Sequence, residues 1–419
     1  MSKTQTRLVM AMTGLFLLSV TIYRWQAFTH FIWTILLFKA LVPASLLMIC
    51  YGLGRMLRLP LVVCLALPPL AEAINWQYIR HFIRINQVAN VHHIGILERW
   101  IDYRDVIQFN RQFSSFNNDL GYTLWPGSIG AHSSLEYHNQ YQINSLGVRD
   151  DEKSLENPEI IFLGDSFTMG WGIDQDKTFA HLTEKQLGVK ALNAGISSYG
   201  TFREMLLFKK LQRDSCKLLV IQYCDNDLEE NVAHLREANP SQRLTPEKFE
   251  KVTIFNRINE SYFPMRYTYF FLREKDILKR IFTNPLEVWS DSQAALTSWI
   301  SGKPLAENKP AEIKSSSKVR EHTENFYHVL KKIREIYSGN IVVMHLDGRY
   351  TKPELINAFE AQAKQSGDTQ LHFLRTADFL TAHDYFPVDG HLNAAGHQKV
   401  ASKLGQLIRE VGGISSHVN

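Results

Sequence analysis

The stretch Ile160-Ile161-Phe162-Leu163-Gly164-Asp165-Ser166-Phe167-Thr168 decides the fold. Four consecutive apolar residues ending in Gly-Asp-Ser fit a short strand buried on both faces, as in a parallel sheet. Working outward, Lys190–Asn193 predicts a weak second strand and Leu218-Leu219-Val220-Ile221 a strong third. Ile341-Val342-Val343-Met344 and Leu371–Leu374 predict a fourth and fifth. Helices are expected over 176–187 and 202–213. Two later segments have clear helical spacing: Phe326, Val329, Leu330, Ile333 and Tyr337, then Val400, Leu404, Leu407, Ile408 and Val411. Strands alternating with helices predict an α/β fold, a five-stranded parallel sheet with helices on both faces.

Ligands bind such sheets outside the carboxyl ends of the strands. Ser166 follows the first strand, Gly195 the second and Asn226 the third, while a late loop carries Asp389-Gly390-His391. Gly-Asp-Ser alone is an ordinary turn sequence. The set as a whole suits acyl transfer. A serine needs a base, a histidine needs an orienting carboxylate, and a developing oxyanion needs fixed donors.

In order and spacing these residues resemble the SGNH hydrolases, also called GDSL-type esterases or lipases, over roughly 159–231 and 339–411. The four residues named in the family's title match Ser166, Gly195, Asn226 and His391. The resemblance implies a flavodoxin-like α/β/α sandwich. It implies Ser166 as nucleophile, His391 as base and Asp389 as its orienting carboxylate. It further implies an oxyanion hole made by the N–H groups of Ser166 and Gly195 with the Asn226 amide. No cofactor and no metal are expected. Two departures stand out. Cys224 occupies a position that is usually glycine, and Asp389-Gly390-His391 is one residue shorter than the common Asp-x-x-His. The shorter spacing is similar to that of SGNH-like polysaccharide O-acetyltransferases. Leu120–Pro126 and Ile143–Arg149 resemble segments that precede the serine block in bacterial membrane-anchored members, and are expected as an edge strand and turn.

Other polar residues compete for roles. His383 with Asp384 is an alternative base pair, whereas His397 is expected in the first turn of the last helix. Asp227 is expected to brace its loop and Asp165 to order the turn around Ser166. The Asp and His cluster lacks the spacing of a zinc site.

The N-terminus differs from the rest. Residues 1–75 hold six Lys or Arg and one Glu, a net +5 within a chain of +4, so the remainder is −1 and offers no electrostatic case for nucleic acid. Apolar stretches at 8–23, 25–54 (broken by Lys39) and 59–71 predict a membrane anchor of three helices, against the roughly 20 residues a span needs. The stretch after the first lacks a small-residue cleavage site, so an uncleaved anchor is expected. Lys3, Arg7, Arg55 and Arg58 would then face the cytoplasm, and the chain beyond 75 the periplasm or outside; two spans would reverse this. The expected division is anchor 1–75, connector and edge segment 76–150, and hydrolase domain 151–411, with an aromatic-rich insertion at 232–318 lying over the sheet edge. Cys216 and Cys224 bracket a strand of about 26 Å, beyond the roughly 7 Å that a disulfide allows.

The resulting expectation is a membrane-anchored serine esterase acting on an ester-bearing glycan or lipid. The alternatives are an O-acyltransferase acting on a surface polysaccharide and a non-catalytic scaffold of envelope assembly.

Overall fold

The computed structural model describes residues 2–28, 31–85, 107–134, 136–236, 244–274, 316–348, 351–386 and 389–411. The chain divides into two compact units. One comprises 1–104 with 252–309, the other 105–251 with 310–419.

The second unit contains the parallel sheet. Its strands are β5 (Ile160–Leu163), β6 (Ala191–Asn193), β7 (Leu218–Tyr223), β8 (Asn340–His345) and β9 (Leu371–Leu374). β1 to β4 (Ser114–Asn117, Gly121–Leu124, Ile129–Ser133, His138–Gln142) precede them as two antiparallel hairpins. The sheet order is β6-β5-β7-β8-β9 and all its pairings are parallel. That is the flavodoxin-like order 2-1-3-4-5, whose switch point lies beside β5.

The side-chain alternation of each strand builds two cores. Ile161, Leu163, Leu219, Ile221, Ile341 and Val343 face one side, under the helices Thr201–Phe208, Ser316–Arg334 and Pro353–Ser366. Ile160, Phe162, Leu218, Val220, Val342 and Met344 face the other, under Phe179–Leu187 and Ala394–Val411. This double burial explains why β5, β7 and β8 read as unbroken apolar runs.

The structure differs from the sequence reading upstream of the sheet. The 120–126 and 143–149 segments add no edge strand. The first lies in the β1–β2 hairpin, and the second follows β4 as a turn. Each bonds a loop at the sheet's carboxyl edge: Tyr122 OH donates to Ser197 O at 2.6 Å, and Arg149 Nη1 to Met169 O at 3.1 Å.

In the first unit, helices Lys3–Tyr23 and Ile32–Met56 are long and apolar enough to cross a membrane. The third apolar stretch opens a 25-residue helix, Leu61–Ile85, which carries Glu72, Arg80 and Arg84 and does not share that apolar character. The aromatic part of the insertion, expected over the sheet edge, instead packs on these helices. Phe263, Met265 and Tyr269 are buried with Leu18, Ile22, Val42 and Leu46. Charges inside the apolar helices explain this. Lys39 Nζ donates to Ser261 O (2.6 Å), Ser261 Oγ (2.7 Å) and Ile258 O. Glu72 accepts from Tyr267 N (3.0 Å), Thr268 N (2.8 Å) and Thr268 Oγ1 (2.8 Å). A charge away from water needs such partners. The polar stretch 301–318 lies outside the described residues up to 315, and a helix begins at Ser316. All four cysteines are unpaired.

Candidate active site

β5 ends at Leu163, and Asp165 caps a single helical turn, Ser166–Met169, by accepting from Phe167 N at 2.9 Å. Gly164 is required here, since a β-carbon would lie 2.0 Å from Thr168 Oγ1. The Asp165 N–H and Thr168 hydroxyl share Gln222 Oε1 on neighbouring β7 (3.2 and 3.0 Å). Burial raises the Asp165 carboxyl, partly offset by the Phe167 N–H. Ser166 is therefore held at the switch point of the sheet, beside the end of β7.

His391 Nε2 stands 2.7 Å from Ser166 Oγ, and His391 Nδ1 is hydrogen-bonded to Asp389 Oδ1. With Nδ1–H donating to the carboxylate, Nε2 is the acceptor facing the serine. Asp389 is 8% exposed, and the imidazole stacks on Trp171 and meets Phe167 at a tilt. Gly390 makes the short Asp-x-His spacing workable. At φ +83° it folds the chain so that one Asp389 oxygen accepts from both His391 Nδ1 and His391 N (3.3 Å). Only glycine adopts that conformation at little cost.

The remaining expected donors fall into two kinds. Asn226 lies exposed just beyond β7. Gly195 is buried, with its N–H already donating to Asn193 Oδ1 at 3.1 Å. Its lack of a side chain is needed for packing, because a β-carbon would lie 2.4 Å from Met169 N. In this structure the Gly195 N–H is thus engaged with Asn193, and the glycine serves the close approach of two loops. Cys224 does not disturb the loop before Asn226. It is buried at negative φ, where a β-carbon meets no backbone penalty, and its Sγ donates to Asp347 Oδ1 at 3.6 Å.

The competing residues have other partners. His383 is exposed, while Asp384 is bound to Lys399 Nζ (2.8 Å) and Thr381 N (2.7 Å). His397, in the first turn of the last helix, is buried and accepts from Phe179 N through Nδ1 (3.0 Å). Burial lowers it to about 3, with the nearby Arg149 and His391 adding to the effect. Asp227 accepts from Thr201 Oγ1 at 2.7 Å.

Asp225, His345 and Asp347 bring one possible ligand atom each within 4.8 Å of one another at the ends of β7 and β8. His345 Nε2 and Asp225 Oδ1 form a 3.0 Å pair there. Acyl transfer by a serine draws on no metal.

Sequence reasoning missed an aromatic layer. Asp389 Oδ2 accepts from Tyr137 OH and Trp171 Nε1, both at 3.0 Å, and Trp171 Nε1 also donates to Tyr137 OH at 2.7 Å. Asp389 N donates to Glu136 Oε2 at 2.6 Å. Tyr137 is 252 residues from Asp389, and nothing in its local sequence marks it.

A serine, an imidazole and a carboxylate in series at the switch point of a parallel sheet have the geometry of a Ser–His–Asp triad. No family model and no curated protein matches the chain. Solved structures do. A G-D-S-L family protein described as lipolytic, from Desulfitobacterium hafniense DCB-2, has 9% identity and a TM-score of 0.32, covering 60% of this chain and 100% of its own. A carbohydrate esterase family 2 enzyme with its carbohydrate binding domain, from Corynascus thermopiles (Myceliophthora fergusii), has 13% identity and a TM-score of 0.33, covering 61% of this chain and 67% of its own. An acetyl xylan esterase from Butyrivibrio proteoclasticus has 11% identity and a TM-score of 0.32, covering 60% and 63%.

Proposed function

We propose that this protein is a membrane-anchored SGNH-type serine esterase that cleaves an O-acyl ester, acetyl by preference, through an acyl-serine intermediate. The observation that carries the reading is the continuous chain from Ser166 Oγ to His391 Nε2 (2.7 Å) and from His391 Nδ1 to Asp389. Ser166 Oγ attacks the ester carbonyl as His391 Nε2 takes its proton. The tetrahedral adduct collapses, the alkoxide leaves, and His391 returns the proton to it as the alcohol departs. Water then repeats the sequence on the acyl-serine, releasing the acid and restoring Ser166. The Ser166 N–H and the Asn226 amide receive the oxyanion; the Gly195 N–H joins them only by giving up Asn193. No cofactor takes part.

The substrate class we propose is an ester-bearing glycan or lipid. The short Asp389-Gly390-His391 spacing favours a second reading, in which a sugar hydroxyl replaces water and the protein is an O-acyltransferase. Turnover of acetyl esters with and without sugar acceptors tests both. Free acetate at the same rate with or without acceptor supports the esterase; acetylated acceptor at the expense of acetate supports the transferase.

We also propose three membrane spans, with the catalytic unit in the periplasm or outside. Arg7 Nη1 donates to Arg55 O at 2.9 Å, which supports a common side for the two basic clusters. The helix Leu61–Ile85 is about 37 Å long, enough to span, and the donors around Glu72 lower the cost of its charge. Reporter fusions after residue 110 test this: active phosphatase and a dark general-secretory fluorescent fusion are expected. The reverse result would place the catalytic unit in the cytoplasm.

A further inference from the structure

The Asp389 carboxylate is bound on two sides. Its Oδ1 serves His391. Its Oδ2 accepts from the Tyr137 hydroxyl and the Trp171 indole N–H, each at 3.0 Å, and these two donors are bonded to each other at 2.7 Å. Tyr137 lies just before β4, in the turn of the second hairpin, where Glu136 also accepts the Asp389 N–H. Trp171 follows the nucleophile turn and lies nearly parallel to the His391 ring, centroids 5.1 Å apart and planes 18° apart. Asp389 is thus gripped by a segment some 250 residues away, through both its side chain and its backbone.

This grip follows from the short spacing. With one residue between Asp389 and His391, the carboxylate turns back on its own loop, and Oδ1 is spent on the imidazole and the His391 N–H. Oδ2 is left away from water, where an unpaired carboxylate oxygen is costly. Among the described residues its donors are two neutral groups, the Tyr137 hydroxyl and the Trp171 indole N–H, which leave the negative charge available to the imidazole. Burial, together with the facing Asp389, keeps the Tyr137 hydroxyl protonated and hence a donor. Behind it His132 packs edge-on against Trp171 (4.6 Å) and bonds Tyr141 OH through Nδ1 (2.9 Å), which extends the aromatic layer.

Resting on the triad reading above, we propose that Tyr137 and Trp171 are positioning residues for the reaction: their paired donors lock Asp389 Oδ2 and so fix the His391 tautomer and ring plane that Ser166 requires. The β3–β4 hairpin is then a working part of the site. A positioning role acts through Asp389 alone, and this separates it from simple core packing.

The test uses the full-length chain in detergent, with an acetyl ester as substrate and thermal unfolding measured alongside. Tyr137→Phe keeps the ring and deletes the donor. It should lower kcat about 10- to 100-fold, the range for one hydrogen bond to a charged group, with KM within about twofold. Trp171→Phe should behave likewise, and it provides a second variant should Tyr137→Phe fail to fold. In the Asp389→Asn background, adding Tyr137→Phe should cost no more than about twofold, because residues acting as a unit are non-additive. Parental kcat in folded Tyr137→Phe and Trp171→Phe would overturn the inference. So would losses that multiply fully with Asp389→Asn. Failure of the triad reading is distinguishable: there, Ser166→Ala itself would keep acyl-enzyme formation.

Discussion

Arg149 is 1% exposed and directs its guanidinium at the main chain of the nucleophile loop, with Nη1 donating to Met169 O at 3.1 Å. It also donates to Gly170 O, and Nη2 reaches Ile173 O at 2.5 Å. Its plane lies over the Tyr141 ring, 3.6 Å from the centroid. The carbonyls it holds belong to the loop that carries Trp171, so a residue 17 positions before Ser166 sets the shape of the chain just after it.

A lysine at position 149 cannot reproduce that fork, since its ammonium is a single point on a flexible stem. Arg149→Lys should therefore cost about 2–3 kcal/mol through the carbonyl bonds it loses. It should also slow acyl-enzyme formation. Thermal unfolding with parallel fluorophosphonate labelling reads both, and an unchanged midpoint would contradict this account of the loop.

The parts of this fold legible in the sequence are those with a local physical signature. β5, β7 and β8 are buried on both faces, so each carries a run of four consecutive apolar residues, and the last two helices carry a clean 3.6-residue period. Gly164, Asp165 and Ser166 are contiguous, and the late loop brings Asp389 and His391 within three residues. The aromatic layer had no such signature. Tyr137 and Trp171 gain their meaning from a contact across 252 and 218 residues. The Gly195 N–H bond to Asn193 depends on a side-chain rotamer that no local signal gives, and the place of the aromatic part of the insertion depends on Lys39 and Glu72 in a distant apolar segment. β1, β3 and β4 have no counterpart in the sequence reading because short polar strands lack strong periodicity, whereas β2 lies within the expected 120–126 strand but pairs in a hairpin.

Asn226 is the exposed amide at the end of β7 and the side-chain donor proposed for the oxyanion. Asn226→Ala should slow acylation by roughly 10²–10³-fold and leave stability nearly unchanged. Stopped-flow measurement of the first turnover reads the effect; a loss under tenfold would remove Asn226 from that role.

His397 supplies a pH dependence. Its neutral form is the folded one, because Nδ1 accepts from Phe179 N and burial lowers it to about 3. Unfolded histidine titrates near 6.5. Below that pH the unfolded chain binds the extra proton, so stability is fully present above about 6.5 and falls toward pH 3, by at most ~1.4 kcal/mol per pH unit. His397→Gln, which keeps an acceptor, should flatten this part of the curve between pH 6 and 4. The same slope in both proteins would refute the assignment.

Glu72 accepts three donors from Tyr267 and Thr268, two of them main-chain N–H groups. Glu72→Ala leaves these groups without that acceptor, at about 1–3 kcal/mol each. The segment 258–274 should then become more open to protease in detergent, with esterase turnover falling less than in any triad variant. Cleavage at the parental rate would contradict the role given to Glu72.

The central claim is that Ser166 is the nucleophile, and site-resolved labelling of the full-length protein tests it most directly. A fluorophosphonate should add once, on the peptide containing Ser166, and the adduct should vanish in Ser166→Ala and nearly vanish in His391→Ala. An adduct on another residue, or Ser166→Ala protein that labels and turns over acetyl esters like the parent, would contradict it.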